Sequence, residues 1–226
     1  MTKSKAKTAA LILNGEYIPP VIDGGYILCA DGGYNLLKSA GLKCGAVLGD
    51  CDSVRDLSPD IKLIPFETDK NETDGHLAVL YLIDAGFKKI NIYGALGGRP
   101  DQVAGNINLL AIARAAGADA VIRGENADIY FIADGESFNL QCKKGDVISV
   151  LPYTENIAFK GSTGLKYPLD GLTAERLSSR GISNAATETN VTIDVKTGKA
   201  FLYVIKNANQ AMKPFKSLIK SSHLSL

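Results

Sequence analysis

Residues 89–122 read KINIYGALGGRPDQVAGNINLLAIARAAGADAVI. Residues 89–93 form a short apolar run with the look of a buried strand, and the glycine-rich loop Gly94 to Gly98 follows. From 102 to 116 the apolar residues recur at helical spacing, Gly117 stops the helix, and residues 120–122 are apolar again. Strand, helix and strand at this spacing make a βαβ unit, and hence a parallel sheet. The same alternation extends towards the N-terminus. It predicts strands over 9–13, 26–30, 46–48 and 62–64 and helices over 34–40 and 73–85, with Gly41 and Gly86 as helix stops.

Beyond Asn126 the helical period disappears. Strand-like segments at 129–133, 137–140, 147–151, 191–194 and 200–205 alternate with turn pairs such as Asp134-Gly135, Lys144-Gly145 and Thr197-Gly198. The expected fold is therefore an α/β N-terminal domain with a mainly parallel sheet, residues 1–125, followed by an all-β sandwich, residues 126–226. A chain of 226 residues can bury cores of that size. Its net charge of +1 offers no basic excess for gripping nucleic acid, and no apolar run approaches the ~20 residues that cross a bilayer. The apolar stretch 9–13 is too short for a signal peptide, and the cysteines form no Cys-x-x-Cys pair. A cytoplasmic protein with no nucleic-acid or membrane partner is expected.

Polar chemistry collects where strands end. Asp50 and Asp52 follow the strand 46–48 in Gly49-Asp50-Cys51-Asp52-Ser53. Residues two apart on extended chain point the same way, so both carboxylates could face one ion, and oxygen ligands of this kind favour Mg²⁺. An Asp/Ser-rich capping turn explains the same five residues. Asp69 to Asp74 precedes a helix that Thr73 or Asn71 could cap, which accounts for Asp74 but not for Lys70; a lysine beside carboxylates suits a polyphosphate. Arg99 offers a guanidinium fork to phosphate beside the glycine loop, while Asp101 has a capping alternative. Asp31-Gly32-Gly33 ends another strand, with glycines that could admit a nucleotide. There is neither a Walker A sequence nor a Gly-x-Gly-x-x-Gly, which disfavours a P-loop enzyme and a dinucleotide oxidoreductase.

Taken together, Ala30-Asp31-Gly32-Gly33, GDCDS at 49–53, KNETD at 70–74 and GGRPDQ at 97–102 in their order resemble the thiamine pyrophosphokinase family. The resemblance continues through Lys144-Gly145, the segment 164–169 and Ser183-Asn184. It implies transfer of the pyrophosphoryl group of ATP to the hydroxyl of thiamine, with release of AMP, by a homodimer whose thiamine sites lie between subunits. It also implies that Asp50, Asp52, Asp74 and Asp101 are the Mg²⁺ and phosphate-site carboxylates, and that Lys70 and Arg99 contact the polyphosphate. Asp31, Gly32, Gly33 and Gln102 then belong to the nucleotide side, and Ser183 and Asn184 to thiamine.

Two positions depart from the family pattern: Asn71 stands where Asp is usual and Gln102 where His is usual. Asn71 retains an oxygen ligand without the charge, and Gln102 can hydrogen-bond but cannot take up a proton as imidazole does. Three other readings compete. A hydroxymethyl-pterin acceptor keeps the reaction type, a non-catalytic nucleotide sensor would account for the two departures, and Asp50-Cys51-Asp52-Ser53-Val54 imitates the nucleophile loop of haloacid-dehalogenase-type phosphatases. That phosphatase loop follows the first strand of its domain, whereas at least two strands precede it here.

Overall fold

The computed structural model describes residues 6–23, 25–50, 54, 56–65 and 71–206. The chain divides into two compact units, one ending at Phe131 and the other starting at Ile132. In the first, strands β1 (Thr8–Ile12), β2 (Tyr26–Ala30), β3 (Ala46–Gly49), β4 (Lys62–Pro65), β5 (Lys89–Tyr93) and β6 (Asp119–Arg123) are parallel; β7 (Ala127–Ile132) pairs antiparallel with β6. Helices α1 (Gly33–Ser39), α2 (Asp74–Asp84) and α3 (Pro100–Ala115) complete the unit.

The strand order is β4-β3-β2-β1-β5-β6-β7. β1 thus pairs with β2 on one side and β5 on the other, with Ile12 opposite both Cys29 and Tyr93. The winding direction reverses at β1, and at such a point the loops leaving the carboxyl ends of neighbouring strands part to form a crevice. Ala9, Ala10, Leu11 and Ile12 are buried, as expected of a central parallel strand covered on both faces. Ala10 and Ile12 pack with Cys29, Val47, Tyr34, Leu37 and Tyr93.

Gly41, Gly86 and Gly117, read as helix stops, all adopt positive φ, at 71°, 86° and 82°. Helix α3 starts two residues earlier than its apolar period, because Pro100 enters its first turn after Arg99 at the N-cap. At α2 the Thr73 Oγ1 accepts the N–H of His76 at 3.3 Å, a capping bond. Thr73→Ala is expected to lower stability by about 1 kcal/mol in urea denaturation, while Thr73→Ser stays near the parent.

The strands of the second unit pair antiparallel in two runs. One has the order β12 (Asn184–Ala185), β9 (Val147–Pro152), β14 (Ala200–Ile205); the other, a four-stranded sheet, is β11 (Thr173–Glu175), β10 (Asn156–Thr163), β13 (Asn190–Thr197), β8 (Ser137–Gln141). Val191, Ile193 and Val195 alternate with more exposed neighbours along β13, the period-2 pattern of a half-buried strand. The all-β architecture is thus as expected, but β10, β11 and β12 were not anticipated. β10 buries Ile157, Phe159 and Gly161 in alternation, but apolar Ala158 lies between the first two and Gly161 has no side chain, so its sequence shows no clear period; the other two strands are too short to show one. Among the described residues no helix is long and apolar enough to cross a membrane.

Candidate active site

The parallel register brings the carboxyl ends of β1, β2, β3 and β5 to one edge, and the loops singled out by sequence leave from there. Asp31 follows β2 in a left-handed conformation, φ 42°, which turns the chain into α1. The turn is tight because Gly33 lies against β1, where a Cβ would fall 2.2 Å from the Ile12 carbonyl oxygen. Gly32 packs on the Asn14 side chain in the same way, a Cβ there lying 2.5 Å from Nδ2.

Gly49, the last residue of β3, lies beside two residues distant in the chain, Asp31 and Asp74. A Cβ on it would be 3.3 Å from Asp31 Cβ and 3.3 Å from Asp74 Oδ1. Asp31 and Asp74 therefore flank the same stretch of backbone, and Asp50 is the next residue along. Asp31 Oδ1 is buried with no hydrogen-bond partner among the described residues. A carboxylate oxygen withdrawn from water in this way needs a donor or a cation.

Mg²⁺ usually takes only one or two protein carboxylates and completes its shell with water and substrate phosphate. Asp31 and Asp74 beside Gly49, with the buried Asp31 Oδ1 lacking a partner among the described residues, fit that requirement. Among the described residues no group of three or more His, Cys, Asp or Glu side chains is arranged to hold a metal ion. Asp52 and Lys70 lie outside the described residues.

The glycine loop after β5 is fastened to the segment after β1. Leu13 N–H donates to the Tyr93 carbonyl at 2.9 Å, Gly94 N–H to Tyr17 at 3.0 Å, and Glu16 N–H to Leu96 at 3.1 Å. The Glu16 carboxylate accepts the Gly98 N–H at 2.9 Å. Arg99 and Asp101 form a two-pronged ion pair, Nη2 to Oδ2 at 2.6 Å and Nε to Oδ1 at 3.1 Å. Asp101 Oδ1 also accepts the Gln102 N–H at 2.9 Å. Arg99 first, and the Gln102 N–H second, hold the Asp101 carboxyl below the usual carboxylate range. Arg99, Asp101 and Gln102 are all exposed at the start of α3.

Asn14 and Glu16 were not among the residues singled out by sequence. Their position directly after the first strand, at the same edge as the other loops, was the signal available.

In the second unit Ser183 and Asn184 line a cleft of about 470 Å³ together with Tyr167, Asp170, Arg180 and Ile182. Ser183 sits at φ 65° and its N–H donates to Ser149 Oγ at 3.0 Å. Asn184 is buried; its Oδ1 accepts the N–H groups of Tyr167 and Ala185, at 3.0 and 2.8 Å, and its Nδ2 donates to the Tyr167 carbonyl at 2.6 Å. Its amide thus builds the cleft wall by gripping the backbone of residue 167.

Comparison with known proteins gives a consistent result. Residues 23–122 match the family model "Thiamin pyrophosphokinase, catalytic domain", and residues 137–200 match "Thiamin pyrophosphokinase, vitamin B1 binding domain". The thiamine pyrophosphokinase of Bacillus subtilis (strain 168) is 27% identical over 176 residues, spanning 74% of this chain and 81% of that protein. Thiamine pyrophosphokinase 1 of Oryza sativa subsp. japonica is 27% identical over 199 residues, 74% of each chain. Among solved structures, that of the Bacillus subtilis thiamine pyrophosphokinase superposes with a TM-score of 0.79 at 24% identity, over 89% of this chain and 100% of that one. The Candida albicans thiamin pyrophosphokinase gives 0.71 at 20% identity, over 89% and 90%. At these identities the structural likeness is one of fold. Because the catalytic and the vitamin-binding models match in order and between them take in most of the described residues, the chain belongs to the thiamine pyrophosphokinase family.

Proposed function

We propose that this chain transfers the pyrophosphoryl group of ATP to the hydroxyl of thiamine, giving thiamine diphosphate and AMP. The observation that carries the reading is the succession of the family's catalytic model and its vitamin B1 binding model along one chain. The carboxylates at Gly49 support it from the side of geometry. In the reaction the hydroxyl oxygen bonds to the β-phosphorus while the bond from that phosphorus to the oxygen bridging the α-phosphorus breaks, and the hydroxyl proton passes to a base. Such a transfer depends chiefly on holding the reacting groups in line and on countering the charge of the phosphate oxygens.

Asp50, Asp52 and Asp74, with Asp31, which lies beside Gly49 as Asp74 does, and Asp101 in the first turn of α3, are the residues proposed to hold Mg²⁺. That ion, when bound, would neutralise polyphosphate oxygens. Arg99 presents a planar fork that can exchange the Asp101 carboxylate for phosphate oxygens, and Lys70 adds a second cation. Gly32, Gly33 and Gln102 complete the nucleotide side, residues 1–125 forming that domain. Residues 126–226 are assigned to thiamine and to dimer formation, with Ser183 and Asn184 at the vitamin in a cytoplasmic homodimer whose thiamine sites lie at the subunit interface.

Purified protein incubated with ATP, Mg²⁺ and thiamine is expected to produce AMP and thiamine diphosphate in equal amounts, measured by ion-exchange chromatography. Release of ADP or inorganic phosphate without AMP would mean a different chemistry, and AMP formation with a hydroxymethyl pterin but not with thiamine would change the acceptor.

A further inference from the structure

We propose that Glu16 is a positioning residue that fixes the glycine loop so that Arg99 meets the nucleotide from one place; the inference rests on the reading of Arg99 as a polyphosphate contact. Gly97 and Gly98 both adopt positive φ, at 88° and 69°, so two successive residues with no side chain of their own precede the arginine. Glycine is the residue with the most conformational freedom to lose, and an unfastened pair would leave the start of α3 poorly defined. Glu16 fastens it at two points. Its N–H donates to the Leu96 carbonyl at 3.1 Å, and its Oε1 accepts the Gly98 N–H at 2.9 Å.

The fit requires glycine on both loops. A Cβ on Gly97 would lie 2.5 Å from Glu16 Cδ, and one on Gly15 would lie 2.3 Å from the Gly94 carbonyl oxygen. Gly98 gives its N–H to a carboxylate, and the next residue, Arg99, is the N-cap of α3. A guanidinium delivers two parallel hydrogen bonds to phosphate only when its base is held at the right distance and angle, and a misplacement of ~1 Å can lower the rate by ~10²-fold. Glu16 acts through the loop, and its carboxylate is assigned no contact with substrate.

The test compares the full-length protein with Glu16→Ala and Glu16→Gln by amide hydrogen exchange and steady-state kinetics. The Gly98 amide is expected to exchange at least about fivefold faster in E16A than in the parent, and E16Q, which keeps an acceptor oxygen, to retain most of the protection. The KM for ATP is expected to rise about tenfold in E16A and less than about twofold in E16Q, with the KM for thiamine unchanged in both. Unchanged exchange at Gly98 in E16A overturns the proposal. So does ATP binding in E16A as tight as in the parent or tighter, which would make Glu16 a stand-in that phosphate displaces, and so does an equal loss toward both substrates.

Should E16A not fold, Gly97→Ala, which presses a Cβ against the end of the Glu16 side chain, must reproduce the faster exchange at Gly98. The exchange measurement needs no turnover. Failure of the parent to make AMP therefore removes the proposed reaction, whereas failure of the exchange result removes the role of Glu16.

Discussion

Asp74→Asn is expected to reduce AMP formation about 10²- to 10³-fold while the protein stays folded. The size follows from charge placed where the reacting phosphates must sit, since loss of one well-placed electrostatic contact in such a site lowers turnover by that factor. The position of Asp74 supports the choice: its Oδ1 lies by the last residue of β3, beside Asp31, whose Oδ1 is buried without a partner among the described residues. Asp74 is the first residue of α2 behind the Thr73 cap, and losing its charge there removes about 0.3–1 kcal/mol of helix-dipole interaction. Circular dichroism and a urea melt establish that the variant is folded, and chromatography of AMP reads its activity. Turnover above a tenth of the parent would place Asp74 outside the reacting centre.

Gly94→Ala is expected to be the most damaging small substitution for the fold, destabilising the protein by at least about 3 kcal/mol. Two effects combine. Gly94 sits at φ 64°, where a side chain raises the energy by roughly 1–2 kcal/mol. A Cβ there would also fall 2.2 Å from the carbonyl oxygen of Leu13, which is backbone and cannot rotate away. The surrounding hydrogen bonds, Leu13 to Tyr93 at 2.9 Å and Gly94 to Tyr17 at 3.0 Å, hold both strands in place while the clash develops. Gly86→Ala is the control, with φ 86° and no atom within 4 Å of its Cβ, so only the backbone effect remains. Urea denaturation of both variants separates the two contributions. Equal losses at positions 86 and 94 would show that the close approach of the β1 and β5 loops has no energetic weight.

The architecture was legible because its signals are local. Strands β2, β5 and β14 fall on the expected residues, and Gly41, Gly86 and Gly117 end their helices with positive φ as the stop signals required. Where local signals fade, the reading thinned. β10 places Gly161 at an inward position and Ala158 at an outward one, so its residue types do not display the alternation that its burial follows. β12 is two residues long and depends on pairing with Val147 and Ile148. The candidate site was legible as a set of loops but not as a set of contacts. Arg99 and Asp101 were both singled out as phosphate-site groups, yet in the structure they grip each other. Asn184, assigned to thiamine, has most of its amide engaged with the backbone of Tyr167 and Ala185.

The alternation of strands and helices, the change to all-β texture in the second half, the placement of Asp, Gly, Lys and Arg where strands end, and the motif set of the family are all readable from the order of residues. All of these are properties of residues near one another along the chain, written in periods of 2 and 3.6 and in turn chemistry. It took the folded chain to show that β1 lies between β2 and β5, that Asp31 and Asp74 both lie beside Gly49, and that Glu16 closes on Gly98. These depend on which strand pairs with which and on how closely two backbones approach, and such choices are made by contacts between residues that the chain order keeps far apart.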